Sequence, residues 1–287
     1  MQLAVTQIVN GLVLGMLLFL MSAGLSLIFG LMNVVNLAHG SFFMLGAFFA
    51  LSIVNWTGSF FAGLALGWIP AVVLGFAMER LFIRYLYSRT HLDQVLLTFG
   101  FTFVISDLVR MAWGPEIRNI AVPQMLEGAF EIFGVIVPKY RLFLIAFGGA
   151  IAVLLWLFLE RSRVGAMVRA GVDDAAVASG LGVNVQLLFG AIFALGVGLA
   201  ALGGAAAGPV LGVYTGIDFE ILIPAFIVVV IGGMGSLRGA FVSSMFVGVV
   251  DTLGKAYFPD LALFAVYFLM VVVLLTRPQG LFGVSKA

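Results

Sequence analysis

The residues able to do chemistry in this chain are few. His39 and His91 are its two histidines, and it has no cysteine. No His pair stands at metal-ligand spacing, and without cysteine there is neither a disulfide nor a thiolate metal site. A G-x-S-x-G nucleophile elbow is absent. The nearest approach to a nucleotide loop, Gly254-Lys255-Ala256, has the wrong spacing to its upstream glycine and no Ser or Thr after the lysine. The sequence therefore offers no catalytic residue, calls for no metal or cofactor, and cannot hydrolyse ATP by itself. The conspicuous polar feature is 30-GLMNVVNLAHG-40, which holds two asparagines and a histidine although no Asp, Glu, Lys or Arg precedes Glu79. Unpaired polar groups cost several kcal/mol each in hydrocarbon. The stretch either leaves the lipid or lines something wet. Asn33, Asn36, His39 and Gly40 are thus candidates for a solute path, at a helix interruption. The three polar side chains are expected to face the bundle interior and to bond backbone groups freed by the break.

Of the 287 residues, 63% are hydrophobic and 9% charged, against about 25% charged in a soluble domain. Mean hydropathy is +1.22. Long, nearly charge-free runs recur along the chain, and a run of roughly 20 apolar residues spans a bilayer. The expected fold is all-α: one transmembrane domain over 1–287, a polytopic helical bundle of about 8–10 spans, some short or interrupted. A β-barrel would need short alternating segments, which are not seen. Candidate spans run from 8–29, 40–54, 60–78, 92–112, 142–159, 185–207, 221–233, 240–252 and 261–276. Of these, 40–54, 221–233 and 240–252 are short for a full crossing. The first apolar run starts without a basic region and outruns a signal-peptide core, so it reads as a span of the mature chain. A net charge of +1 implies no nucleic-acid partner. Small residues four apart, such as Gly11 and Gly15, or Gly196, Ala200, Gly204 and Gly208, predict close helix packing.

Basic residues set the expected orientation. Arg80, Arg84 and Arg89 share a loop, as do Arg161, Arg163 and Arg169, and alternating spans bring Arg238, Arg277 and Lys286 to the same side. That side is expected to be cytoplasmic, with the N-terminus outside and the C-terminus inside. Residues 113–141 then form the largest external loop, and Asp218 and Glu220 fall on the external side. Asp93, Asp107, Arg110, Glu160 and Asp251 sit near predicted span ends, a poor pattern for a proton relay, with Asp107 and Arg110 placed to pair.

The segment of about 161–184 is amphipathic and punctuated by glycine. Asp173 and Asp174 fit the first turn of a short helix, where carboxylates satisfy free N–H groups. Ala176, Val177 and Leu181 give it an apolar stripe, and Gly180 and Gly182 end it. Val164, Met167 and Val168 make a second stripe beside Arg163 and Arg169. It reads either as a solvated loop at the headgroups or as a docking helix for a groove on a partner.

Three stretches carry a family resemblance. Residues 11–48 contain G-L-S-L-I-F-G and then N-L-A-H-G-S-F-F-M-L-G-A. Residues 163–185 place Arg169-Ala170 before Asp173-Asp174 and Leu181-Gly182-Val183-Asn184. The chain closes with R-P-Q-G-L-F-G at 277–283, and 231-IGGMGSLRGAF-241 adds to the set. In this order they resemble the permease subunits of branched-chain amino acid ABC importers, most closely the first of the two permeases. One departure is Gly165-Ala166-Met167, where the family commonly has a basic residue after the glycine. The resemblance implies a second homologous permease, two cytoplasmic ATPase subunits and a periplasmic solute-binding protein, in the bacterial inner membrane. It makes Arg163, Arg169, Asp173, Asp174, Gly180 and Gly182 candidates for ATPase coupling. It also implies inward transport, by alternating access, of branched-chain or other amino acids, urea, amides or small organic acids. A self-sufficient channel lined by Asn33, Asn36 and His39, or a scaffold without transport, are the other readings. A faint echo relates 39-HGSF-42 to 238-RGAF-241, each after an interrupted stretch.

Overall fold

A computed structural model describes residues 2–132 and 134–283. The side chains of Ile132, Val172, Asp173, Ala175 and Leu263, and all of Lys286, lie outside the described residues. The helices are α1 (Gln2–Met32), α2 (His39–Thr57), α3 (Phe60–Leu66), α4 (Trp68–Leu81), α5 (His91–Trp113), α6 (Lys139–Arg161), α7 (Arg163–Asp173), α8 (Ala175–Gly180), α9 (Val185–Leu211), α10 (Ile217–Gly232), α11 (Leu237–Tyr257) and α12 (Ala262–Thr276). Among the described residues, seven helical stretches are long and apolar enough to cross a membrane, with Phe60–Leu81 counted as one. Two of the spans expected to be short are full length, since α2 has 19 residues and α11 has 21. α10 stays short at 16 residues, and α12 has 15.

α1 is the central pillar, 83% buried over its most apolar window. With no hydrophobic drive between helices in lipid, close backbone approach has to hold it, and the small residues provide that approach. A Cβ on Gly15 would sit 2.9 Å from the Ser244 carbonyl of α11, and one on Gly196 of α9 would sit 2.9 Å from the Gly24 carbonyl. α9 and α11 both run antiparallel to α1. Leu188 and Leu31 flank Gly171, while further along Gly203 meets Leu20; Gly15 meets Met245, and Gly11 meets Val249.

The basic loops gather at the C-terminal end of α1. Gly235 packs on Gly30 there, Gly171 on Leu31, and Glu160 of α6 lies 3.9 Å from Arg169 and 3.7 Å from Arg238. The closing stretch joins the same face. Leu281 and Phe282 donate their N–H groups to the carbonyls of Ile231 and Gly232, at 2.8 and 3.0 Å. Those carbonyls end α10 and would otherwise lack partners. The two family stretches 231–241 and 275–283 thus meet in space. At the opposite end, Arg141 bonds Asn10, and Lys255 pairs with Asp251 at 2.7 Å. The loop of 113–141 also lies at this end. It holds an antiparallel hairpin of β1 (Ala129–Ile132) and β2 (Val135–Pro138), a bridge from Arg118 to Val213, and the buried Ile120.

Candidate functional site

The polar stretch after α1 is a true helix break. α1 stops at Met32, and Asn33 takes the left-handed region with φ 51°, which Asn tolerates better than most residues. From there residues 34–38 run back along α1 outside any helix. α2 then begins at His39, whose Nε2 lies 3.0 Å from the Met21 carbonyl. A carbonyl only accepts, so Nε2 carries the proton and Nδ1 is the bare nitrogen. Met21 stands eleven residues before the end of α1, about 16 Å along its axis. The second helix therefore starts deep inside the bundle.

The break is held by α5. The Val35 N–H donates to Gln94 Oε1 at 3.2 Å, and the Leu37 N–H to Thr98 Oγ1 at 3.1 Å. Gln94 also donates to the Leu86 carbonyl at 3.1 Å. In extended chain, alternate residues face opposite sides. Val35 and Leu37 present their N–H groups to α5, and Asn36 does not share that side. This corrects the expectation that Asn33, Asn36 and His39 satisfy the freed backbone. Asn33 is exposed, and Asn36 is buried with no partner for either side-chain polar atom among the described residues. His39 bonds a carbonyl in mid-helix of α1. Asn36, His39 and Gly40 are all buried.

Asp218, expected on the side opposite the basic loops, begins α10 at that end, but in the first turn of the helix and fully buried. Its Oδ2 accepts from Ser41 at 3.3 Å and from Ser106 at 3.0 Å, so one carboxylate joins α2, α5 and α10. Helix N-termini favour such a charge. Gly40 is glycine for a visible reason, since a Cβ there would come within 3.0 Å of the Asp218 carbonyl carbon. Sequence reading missed Gln94, Thr98, Thr102 and Ser106. They recur every four residues, which places them on one helical face, and that spacing inside an apolar span was the available signal. Among the described residues Asp107 and Arg110 do not pair, and both are exposed. The echo of 39–42 in 238–241 places both stretches at helix starts, but at different depths. α11 begins beside Gly30, near the end of α1, whereas α2 begins beside Met21.

The second candidate region is the connection from α6 to α9. Ser162 caps α7 by accepting from the Gly165 N–H at 2.9 Å. Asp174 caps α8, accepting from Ala176 at 2.8 Å and Val177 at 3.0 Å. Asn184 caps α9, accepting from Leu187 at 3.0 Å. α8 ends at Gly180, and Gly182 follows with φ 89°. Asp173 is the last residue of α7 and not part of the first turn of α8. Asp174 is extended and separates the two helices, so one carboxylate does the capping. Val177 is 58% exposed and Leu181 79%, while Val168 is buried. Arg163 is exposed. Arg169 turns back onto α6, donating to the Leu159 carbonyl beside Glu160. Nearby, Tyr87 donates to the buried Glu79 carboxylate. Burial first, and then that acceptor, hold the phenol above its ordinary pKa, so it stays a neutral donor through the physiological range.

These features define a multi-pass helical membrane protein with an interrupted first helix and a capped amphipathic connection on its basic face. Residues 7–274 match the family model described as branched-chain amino acid transport system / permease component, and the chain belongs to that family. It is 30% identical to the high-affinity branched-chain amino acid transport system permease protein BraD of Pseudomonas aeruginosa, over 96% of this chain and 95% of that one. Identity to the corresponding LivH protein of Escherichia coli is 27%, over 96% and 94%. With the permease protein LivM of Escherichia coli it is 25%, over 95% of this chain and 69% of that one. The family consists of transport components and not of enzymes.

Proposed function

We propose that this chain is one permease subunit of a bacterial ABC importer, moving branched-chain amino acids or a related small solute inward by alternating access. A second, homologous permease completes the path, and the similarity to both LivH-type and LivM-type proteins supports a pair of related subunits. Two cytoplasmic ATPase subunits supply the energy, and a periplasmic solute-binding protein delivers the solute. The protein lies in the inner membrane with its N-terminus outside and its C-terminus in the cytoplasm, a reading supported by the basic loops gathered at one end of α1.

The observation that carries this reading beyond the family match is the α7–α8 connection. Three separate caps hold it in shape, and it presents Val177 and Leu181 to the outside on the basic face. An exposed apolar stripe on a preformed short helix suits a groove on a partner. Coupling is assigned to Val177, Leu181 and Arg163, with Asp174, Gly180 and Gly182 setting the shape and Asp173 closing α7. Arg169 acts through Glu160 by tying α7 to α6 and α11. A self-sufficient channel lined by Asn33, Asn36 and His39 is disfavoured, because Asn36 and His39 are buried within this chain and Asn33 alone is exposed.

Co-purification tests the reading. Tagged protein from its own host is expected to retain ATPase subunits, and Leu181→Glu to lose them while the bundle stays folded. Wild-type protein that never carries an ATPase contradicts it.

A further inference from the structure

The turn between α4 and α5 holds cations that no carboxylate in the chain neutralises. Gln94, in the first turns of α5, bonds both the Val35 N–H, just past the end of α1, and the Leu86 carbonyl. The turn therefore lies on the basic face, where helices end and the bilayer boundary is expected. A short 3-10 helix, Ile83–Leu86, and the start of α5 enclose a groove of about 400 Å³ there. Its walls are apolar, formed by Leu81, Phe82, Leu86 and Leu97, and Phe82 closes edge-on against Phe101 of α5 at 4.9 Å. Its rim is cationic. Arg89 lines it, and the Arg84 guanidinium lies over the ring of Tyr85, which also lines it, at 5.5 Å.

Neither arginine forms an ion pair among the described residues. The acids nearby are already engaged. Asp93, which shares the groove, turns Oδ2 to the Thr90 N–H and hydroxyl in the cap of α5, at 3.2 and 3.0 Å. Glu79 is buried and takes the Tyr87 hydroxyl. The third arginine of this turn, Arg80, lies over Phe76 of α4, away from the groove lining. The polarity also has a direction. α5 enters the bundle from this face, and eight residues from Asp93 to Phe101 span about 12 Å of its axis. The charged rim is thus at the surface and the apolar walls run inward. Leu81, Phe82 and Tyr85 are exposed on this side, so the groove opens towards lipid.

We infer that this groove seats one anionic phospholipid, its phosphate held by Arg84, Arg89 and the Tyr85 hydroxyl and its first acyl carbons lying along Phe82 and Leu97. A free phosphate would use the arginines and leave the apolar walls bare. A neutral lipid would cover the walls and leave the cations unpaired. An amphiphile with an anionic head uses both, and basic pockets between membrane helices suit such heads. The inference needs a multi-pass membrane protein and does not depend on the importer reading.

Native mass spectrometry of the intact complex, titrated with phosphatidylglycerol or phosphatidylcholine, tests it. Wild-type protein is expected to bind the anionic lipid at least tenfold more tightly than the neutral one. Arg84→Gln with Arg89→Gln is expected to abolish that preference. The pair Arg80→Gln with Arg277→Gln removes the same charge from the same face and is expected to keep it. Leu97→Trp, which fills the groove but leaves the arginines, is expected to lose it. Inorganic phosphate at millimolar concentration is expected not to displace the lipid. No preference in the wild type, an equal loss in the two arginine pairs, wild-type preference in Leu97→Trp, or displacement by inorganic phosphate overturns the inference. Loss of another subunit from the Arg84/Arg89 variant, with its bound lipid unchanged, marks the groove as a subunit interface and overturns it as well.

Discussion

α5 and α6 are the same length, 23 residues, and each is only 17% buried over its most apolar window. Exposure alone does not distinguish them, but composition does. From Leu142 to Leu159, α6 contains no charged side chain and, Trp156 aside, none that forms hydrogen bonds. α5 has Gln94, Thr98, Thr102 and Ser106 on its inner face and Asp107 and Arg110 outside. α6 satisfies lipid on its free side and needs nothing else. α5 has an inner face that supplies hydrogen bonds to a broken helix and an outer face that carries two exposed charges in its last two turns. Two helices equally bare in the isolated subunit thus differ in what their faces carry.

The largest effect expected from this contrast comes from placing a charge on the apolar helix. Leu154→Asp puts a carboxylate into lipid at about 3 kcal/mol, and glycosylation-tag mapping of membrane insertion should show α6 failing to insert in much of the protein. Efficient insertion of the Leu154 variant would break the comparison. Next in size is the seam that α5 supports. Gly40→Val forces a side chain against the Asp218 backbone and should destabilise the folded bundle by about 2 kcal/mol, read as a lower thermal unfolding midpoint in detergent. Thr98→Val keeps the shape but leaves the Leu37 N–H unpaired. It should cost about 1 kcal/mol and raise hydrogen exchange at residues 33–38. The smallest effect belongs to the surface pairs around Glu160, whose side chain is 43% exposed. Glu160→Gln should change stability by about 0.5 kcal/mol or less by the same thermal assay, and a larger loss would mean that the tie between α6, α7 and α11 is stronger than an exposed pair.

Much of this was legible in the sequence, for identifiable reasons. The apolar runs found the spans, and their ends moved mainly where polar residues lie inside helices, as in α2 and α11. Asp174 as a cap and the halt at Gly180-Gly182 follow from local chemistry that a sequence displays directly. Asn33 through His39 announced a break but not its partners. Those lie on α5, more than fifty residues away, and only the fold brings them together. The burial of Asp218 was not legible because a carboxylate in the first turn of a short helix looks, from charge alone, like part of a loop. The four-residue spacing of Gln94, Thr98, Thr102 and Ser106 was visible and would have marked α5 as the helix with something to hold.

The central claim, that the exposed face of α7–α8 connects this bundle to ATP-driven partners, is tested most directly by uptake. Proteoliposomes holding the complete complex and its binding protein should accumulate labelled leucine only with ATP, and Leu181→Glu should reduce that accumulation to background. ATP-dependent accumulation at the wild-type rate in the Leu181→Glu complex would contradict the claim.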